Sequence, residues 1–330
     1  MIDEYKKFGL IVINDVFTDQ ECDIWMDNII NDFVKLETGI DKKKIKETWI
    51  DTNLPPVVKA GLFQCLMSNT KDIWDIRSHH NIEFIFKELY SALRNKRIDE
   101  FIVSGDGINI KSNEEPLQTN YSRDWAHFDQ TFRNDIFKCV QGQAVLTNTT
   151  ASLVATPKSH LLFEEILDTL KIDKNCTSNW VKFKPNQIDL VKNIIIKSGA
   201  DWQIPILSKK GSFILWSSTL IHSARLQTII ELPSINDKYL GWRGVVYVCY
   251  RPKSEFSKKE IDKRISAYKN NRVTNHWGIK IFPKNTGGRF NSINTKYHST
   301  IQSMIKNPLL VYNKIGMPQL NHKQQKLIGL

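Results

Sequence analysis

His127 and Asp129 place an imidazole and a carboxylate two positions apart, and a second imidazole, His222, and a guanidinium, Arg243, follow far downstream. Two histidines and one carboxylate in that order form the ligand set of a non-heme ferrous centre with positions left open for oxygen chemistry. In a β-strand residues i and i+2 point to the same face, so His127 and Asp129 can grip one metal while His222 arrives on another strand. His222 lies just beyond the apolar run Gly211 to Trp216. An imidazole buried there without a partner would be costly, and a metal would satisfy its ring nitrogen. Arg243 leads into Val245-Val246-Tyr247-Val248-Cys249-Tyr250, the strongest strand signal in the chain. An arginine at the start of a buried strand needs an anion, and its planar fork suits a carboxylate. Triad and arginine together make a ligand set for iron and a dicarboxylate cosubstrate.

The elements that must position these groups can be read from periodicity. Gly9 to Asp15 reads as a short buried strand. Thr18-Asp19-Gln20-Glu21 is a capping box, and Cys22, Trp25, Met26, Ile29, Ile30 and Phe33 follow at helical spacing through about residue 36. A second amphipathic helix is predicted over Ile82 to Arg94. From about residue 100 the pattern turns to short strands: Phe101 to Val103, Ile108 to Ile110, Ala126 to Gln130, Cys139 to Thr147, Leu153 to Thr156, Ser212 to Trp216 and Gly244 to Tyr250. Helices at Leu162 to Leu170 and Asn186 to Ile195 interrupt them. Short strands joined by turns and preceded by helices predict a barrel or sandwich, mainly β with flanking helices. Beyond Glu255 one helix is predicted, Lys258 to Lys269, with turns at Asn270-Asn271 and Gly287-Gly288.

Length and composition set the class. The 330 residues, 41% hydrophobic and 10% aromatic, can bury a substantial core and are not the composition of a disordered chain. There is no 18-residue apolar run, which argues against a transmembrane helix, and MIDEYKKFGL lacks the layout of a signal peptide. The five cysteines are odd in number, dispersed and free of CxxC, so neither a disulfide framework nor a zinc ribbon is indicated. An intracellular, cytoplasmic setting is expected, one that keeps a ferrous site reduced. The net charge of +11 is concentrated at one end: Arg251 to Leu330 holds 16 Lys+Arg against 3 Asp+Glu. Such a segment can attract nucleic acid or a phosphorylated substrate, or can simply be a solvated surface.

Read in order, the pieces resemble the phytanoyl-CoA dioxygenase family of Fe(II)/2-oxoglutarate oxygenases. Phe8 to Ile13 followed by Phe17 to Cys22 is similar to the family's opening strand and helix. Trp125-Ala126-His127-Phe128-Asp129-Gln130 resembles its metal-binding strand, and Val140 to Leu146 the strand after it. Thr156-Pro157-Lys158-Ser159-His160 stands in place of the Pro-Gly-Ser-His turn, and Gly211 to His222 is similar to the strand of the distal histidine. The resemblance covers roughly residues 8 to 252. It implies a double-stranded β-helix (jelly-roll) core with N-terminal helices packed on it. The C-terminal extension, 253 to 330, would then be a lid or buttress of the same domain.

The resemblance further implies that His127, Asp129 and His222 bind Fe(II) and that Arg243 pairs with the far carboxylate of 2-oxoglutarate. The expected reaction consumes O2, converts 2-oxoglutarate to succinate and hydroxylates a C–H bond of a small or medium-sized organic substrate. The carboxylate at position 129 favours hydroxylation over halogenation, since related halogenases have a small residue there. The sequence departs from the family at Lys158, where glycine is expected, and at Leu226 to Leu240, which reads as an inserted loop. Because of that insertion Arg225 rivals Arg243 as the dicarboxylate partner. His160 is expected to be structural, and His79-His80 to be a loop pair. Trp202, Trp216 and Trp242 flank the proposed site. Arg272 to Trp277 could close over a substrate or contact a partner, with His276 as a structural or surface histidine. Two alternatives stand beside this reading: an oxygenase acting on nucleic acid or protein through the basic tail, and a non-catalytic jelly-roll binding module.

Overall fold

Two main antiparallel sheets and two further strand pairs have helices packed around them. The computed structural model describes residues 1–57, 61–112, 125–176, 178–225, 235–282 and 297–330. The expected Gly287-Gly288 turn and residues 226–234 of the expected inserted loop lie outside these. The helices are α1 (Ile2–Phe8), α2 (Asp19–Lys35), α3 (Ile45–Thr48), α4 (Lys71–Arg77), α5 (His80–Arg94), α6 (Phe163–Thr169), α7 (Pro185–Lys197), α8 (Lys258–Lys269), α9 (Ser299–Lys306), α10 (Tyr312–Ile315) and α11 (His322–Ile328). The strands are β1 (Leu10–Ile13), β2 (Leu62–Phe63), β3 (Phe101–Val103), β4 (Ile108–Lys111), β5 (His127–Phe128), β6 (Val140–Val145), β7 (Leu153–Ala155), β8 (Val181–Lys182), β9 (Ile204–Ile206), β10 (Phe213–Ser217), β11 (His222–Ala224), β12 (Arg243–Tyr247), β13 (Tyr250–Pro252), β14 (Val273–Thr274) and β15 (Ile281–Phe282).

The larger sheet has six strands in the order β1-β10-β6-β12-β4-β2, and the smaller has five in the order β8-β5-β11-β7-β9. Leu10, Val145, Ile214 and Trp216 of the larger sheet form one buried cluster with Leu153, Ala155 and Ile206 of the smaller, so these two inner faces pack on each other. The outer face of the larger sheet is covered by helices. There Ala144, Phe213, Leu215 and Val246 join Met26, Ile29 and Phe33 of α2 and Phe86 and Leu89 of α5. A third cluster fastens α6 and α7 behind β5, through Phe128, Phe163, Leu167, Phe183, Val191 and Ile195.

Local chemistry sets the ends of these elements. Thr18 and Glu21 cap each other at the start of α2, with Glu21 N–H donating to Thr18 Oγ1 at 3.2 Å and Thr18 N–H to Glu21 Oε2 at 2.8 Å. Gly9 ends α1 at φ 74, and a Cβ there would lie 2.4 Å from His160 Nδ1. His160 holds this junction with Nε2 2.9 Å from the Lys6 carbonyl, the structural role expected of it. Lys158, where the resemblance expects glycine, takes the left-handed conformation glycine favours, at φ 68.

Several expectations need correction. His79 and His80 are not a loop pair: His79 caps α5, its Nδ1 accepting from Asn81 N–H at 3.3 Å, and His80 is the helix's first residue. The strand expected over Gly244 to Tyr250 breaks after Tyr247. Val248 N–H turns to the Gly142 carbonyl, and Tyr250–Pro252 pairs with β3 outside the large sheet. Beyond Glu255 the chain forms α8, α9, α10 and α11, not one helix. Short helices whose apolar residues need a partner surface give a weak periodic signal. Their side chains Tyr268, Ile301, Met304, Val311 and Ile328 belong to the main core cluster. Among the described residues no helix is long and apolar enough to cross a membrane.

Candidate metal centre

The smaller sheet brings the histidines together through strand register. His222 of β11 lies directly opposite His127 of β5, and their ring centroids are 4.3 Å apart. Asp129 lies just past the end of β5, where its N–H donates to the Ser218 carbonyl at 2.9 Å. Its Oδ2 is 3.1 Å from His222 Nε2 and 3.7 Å from His127 Nε2. The ligand atoms of these three buried residues all lie within 4.8 Å of one another. One divalent ion bonded at about 2.1 Å would hold its ligands at most about 4.2 Å apart, so a small contraction closes the group on a metal.

The other ring nitrogens fix the tautomers. His127 Nδ1 is 3.1 Å from the Trp125 carbonyl and His222 Nδ1 is 2.9 Å from the Leu220 carbonyl. A carbonyl can only accept, so each Nδ1 carries a proton and each Nε2 offers a lone pair toward Asp129. Burial, then the neighbouring His222, holds His127 below the ordinary imidazole value and keeps it neutral. Burial alone would push the Asp129 carboxyl up. Attraction from His276, first among the opposing influences, outweighs that and holds it well below the usual carboxylate range. An Nε2 turned inward with its lone pair free and an ionised carboxylate are what a divalent cation binds.

Residues outside the trio fix these side chains. Gln141 of β6 donates from Nε2 to Asp129 Oδ2 at 2.8 Å. The Trp125 ring stacks on His127 with centroids 4.8 Å apart, and Trp216 stands 5.6 Å from His222. Of the tryptophans singled out from sequence, only Trp216 borders the trio. Trp242 packs edge-on against Trp49 in the core, and Trp202 supports the cluster behind β5. From the sequence, Trp125 and Gln141 carry no role of their own, Trp277 falls in the segment expected to close over a substrate or contact a partner, and His276 is expected as a structural or surface histidine. Gln141 has a signal, since it and Gln143 are polar residues on the inward parity that Val145 shares in a buried strand.

Arg243 and Arg225 are both buried and adjacent. Arg243 Nη1 is 3.4 Å from the Arg225 carbonyl, and Arg225 Nε donates to the Thr150 carbonyl at 3.0 Å. Among the described residues Arg243 Nε and Arg225 Nη2 are buried without a partner, donors of the kind an anion satisfies. Lys111 of β4 is paired in register with Arg243, adding a third buried cation on the same face, one that sequence reasoning did not include.

No family model matches the chain. A 141-residue stretch is 26% identical to Ava biosynthesis cluster protein O of Aspergillus versicolor, spanning 42% of this chain and 42% of that protein. Among solved structures, a hypothetical protein of Escherichia coli superposes with a TM-score of 0.60 at 12% identity, covering 99% of this chain and 81% of its own. A putative oxidoreductase of Salmonella typhimurium LT2 gives 0.58 at 13% identity, covering 99% and 82%. The epimerase SnoN, crystallised with Fe3+, alpha ketoglutarate and nogalamycin RO, gives 0.43 at 13% identity over 76% and 81%. The chain therefore shares its fold, end to end, with the Escherichia and Salmonella proteins.

Proposed function

We propose that this protein is a non-heme Fe(II)/2-oxoglutarate-dependent oxygenase of the phytanoyl-CoA dioxygenase type, hydroxylating a C–H bond of a small or medium-sized organic substrate. In this reading the two facing sheets are a double-stranded β-helix core, and residues 253–330 are a buttress of the same domain. One observation carries the proposal. Two Nε2 lone pairs and a carboxylate converge from strands far apart in sequence, with each Nδ1 proton already engaged.

His127, Asp129 and His222 would hold the iron, whose bound state supplies oxygen activation coupled to conversion of 2-oxoglutarate to succinate. The remaining work falls to the chain. Trp125 and the Leu220 carbonyl keep the two imidazoles in plane and in the right tautomer. Gln141 holds the carboxylate. Arg243 neutralises the distal carboxylate of the cosubstrate, with Arg225 beside it, so the buried guanidinium donors gain an acceptor. The walls of the two sheets limit water at the reacting centre.

The basic extension does not call for nucleic acid. Several of its charges are met by acids of the body, including Lys314 with Glu37, Lys323 with Glu83 and Lys253 with Glu100.

The test is an anaerobic titration of metal-free protein with Fe(II) and 2-oxoglutarate, following the visible charge-transfer band. Wild type should develop the band, His222→Ala should lose it, and Arg243→Ala should need on the order of 100-fold more 2-oxoglutarate, as expected when a charged hydrogen bond of about 3 kcal/mol is lost. Folded wild type with no band would remove the oxygenase reading and leave a binding module.

A further inference from the structure

The loop between β14 and β15 belongs to the basic extension, yet it reaches the metal centre. It is fixed at both ends. Thr274 N–H donates to the Gly105 carbonyl at 2.9 Å, and Gly105 N–H returns a bond to Thr274 Oγ1 at 2.8 Å. Asn275 Oδ1 accepts from Ile279 N–H at 3.2 Å and Lys280 N–H at 3.1 Å, closing the loop on itself. Trp277 is buried against Phe132, with Arg251 over its ring, and its indole N–H donates to the Asp129 carbonyl at 2.9 Å. The loop therefore already grips the main chain of one proposed metal ligand.

His276, between these anchors, faces the side chain of the same residue. Its Nε2 is 3.9 Å from Asp129 Oδ2, and among the described residues that nitrogen is buried without a hydrogen-bond partner. The separation is too long for a hydrogen bond. An unpaired buried nitrogen costs about 1–3 kcal/mol, so a rigid loop that holds one there marks a group awaiting a partner. His276 also lies outside the trio whose ligand atoms approach within 4.8 Å, which sets it beyond the coordination shell. An oxygen about 2.8 Å from both atoms would make an apex of about 90°, the span one bridging water makes.

We infer that His276 is a positioning residue for Asp129: through one shared water it holds the carboxylate in its ligating orientation, acting on the same Oδ2 that Gln141 bonds. The inference rests on the metal reading above and extends it. The extension then completes the centre, clamping Asp129 by its main chain through Trp277 and by its side chain through His276. Outer partners of metal ligands commonly contribute 10–100-fold in metal affinity.

The test is a Mn(II) titration of metal-free full-length protein, read from the free-ion electron paramagnetic resonance signal, with thermal unfolding run in parallel. Wild type should bind one Mn(II) per chain. His276→Ala should bind about 10–100-fold more weakly with its melting transition retained, and His276→Gln, which keeps a donor of similar reach, should recover most of the loss. Tight wild-type binding with His276→Ala within twofold overturns the role of His276 alone. Complete loss in both folded variants also overturns it, because it would make His276 a direct ligand. A folded wild type that binds no Mn(II) overturns the metal reading itself and this inference with it.

Discussion

Between the two sheets, charged side chains converge on one place and keep atoms uncommitted; in residues 253–330, several charges end on an acid of the body. Among the described residues Arg243 Nε and Arg225 Nη2 have no partner, while Glu255 alone meets Arg94 at 2.9 Å, Lys138 at 3.1 Å and Arg251 at 3.4 Å. Both arrangements hold charge inside the protein, but only the first leaves it available to a ligand. A regional net charge read from sequence counts both kinds alike. The basic excess after Arg251 therefore describes how the extension docks as much as what the protein meets outside.

The largest effect tests whether the extension is separable at all. Cutting the chain after Pro252 removes Tyr268, Ile301, Met304, Ile305, Val311, Leu327 and Ile328 from the main core. Losing buried apolar side chains at about 2–5 kcal/mol each exceeds the roughly 5–15 kcal/mol by which domains are stable. The fragment should show no cooperative melting by circular dichroism, and a sharp transition would break the comparison.

A smaller effect sharpens it. Burial would push the Glu255 carboxyl up, but Arg94 and Lys138 outweigh burial and hold it below the usual range. A carboxyl with a depressed folded value contributes stability above its unfolded value, and that contribution is lost as pH falls through the folded one. Glu255→Gln should cost about 2 kcal/mol in urea unfolding at pH 7. The difference from wild type should shrink below about pH 4. An unchanging difference across that range would mean the side chain acts by packing and not by charge.

The smallest expected effect concerns a charge in the extension that finds no acid. Arg264 of α8 is fully buried beside Arg77, with both terminal nitrogens unpaired and its guanidinium 5.6 Å from the Trp74 ring. Burial, then repulsion from Arg77, pushes its pKa down to about 9. Replacing an uncompensated buried charge with an apolar chain of similar length is commonly neutral or favourable, so Arg264→Met should raise stability by about 1 kcal/mol. A loss above about 2 kcal/mol would show that its one bond, from Nε to the Val103 carbonyl at 2.9 Å, outweighs the repulsion.

Much of this architecture was legible in the sequence because the signals are local. The Thr18 capping box and the apolar stripe of α2 fall where periodicity predicts, and α8 matches its predicted bounds. The trio was legible because two of its members sit on one short stretch and the third follows closely on an apolar strand. For His276 and Trp277 only the segment, Arg272 to Trp277, stands out and not its contacts, since nothing local tells a buried loop from an exposed one. Their positions depend on Thr274 pairing with Gly105, a contact across most of the chain. Helix α1 is not legible for a related reason: at seven residues with Tyr5 its one buried side chain, it shows no helical period.

The direct pairing of His127 with His222 has a consequence for how the centre is assembled. Strand β11 is held between β5 and β7, and neither neighbour is adjacent to it in sequence. Closing such contacts is slow relative to local helix formation, so the site comes into being late in folding and an ion cannot template the early steps. Register then becomes a condition for binding. A slip of one residue would turn His222 outward and present Ile221 or Ser223 in its place. Neither can replace an imidazole, so a bound ion would stabilise only the correctly aligned strand, and metal uptake would act as a check on pairing.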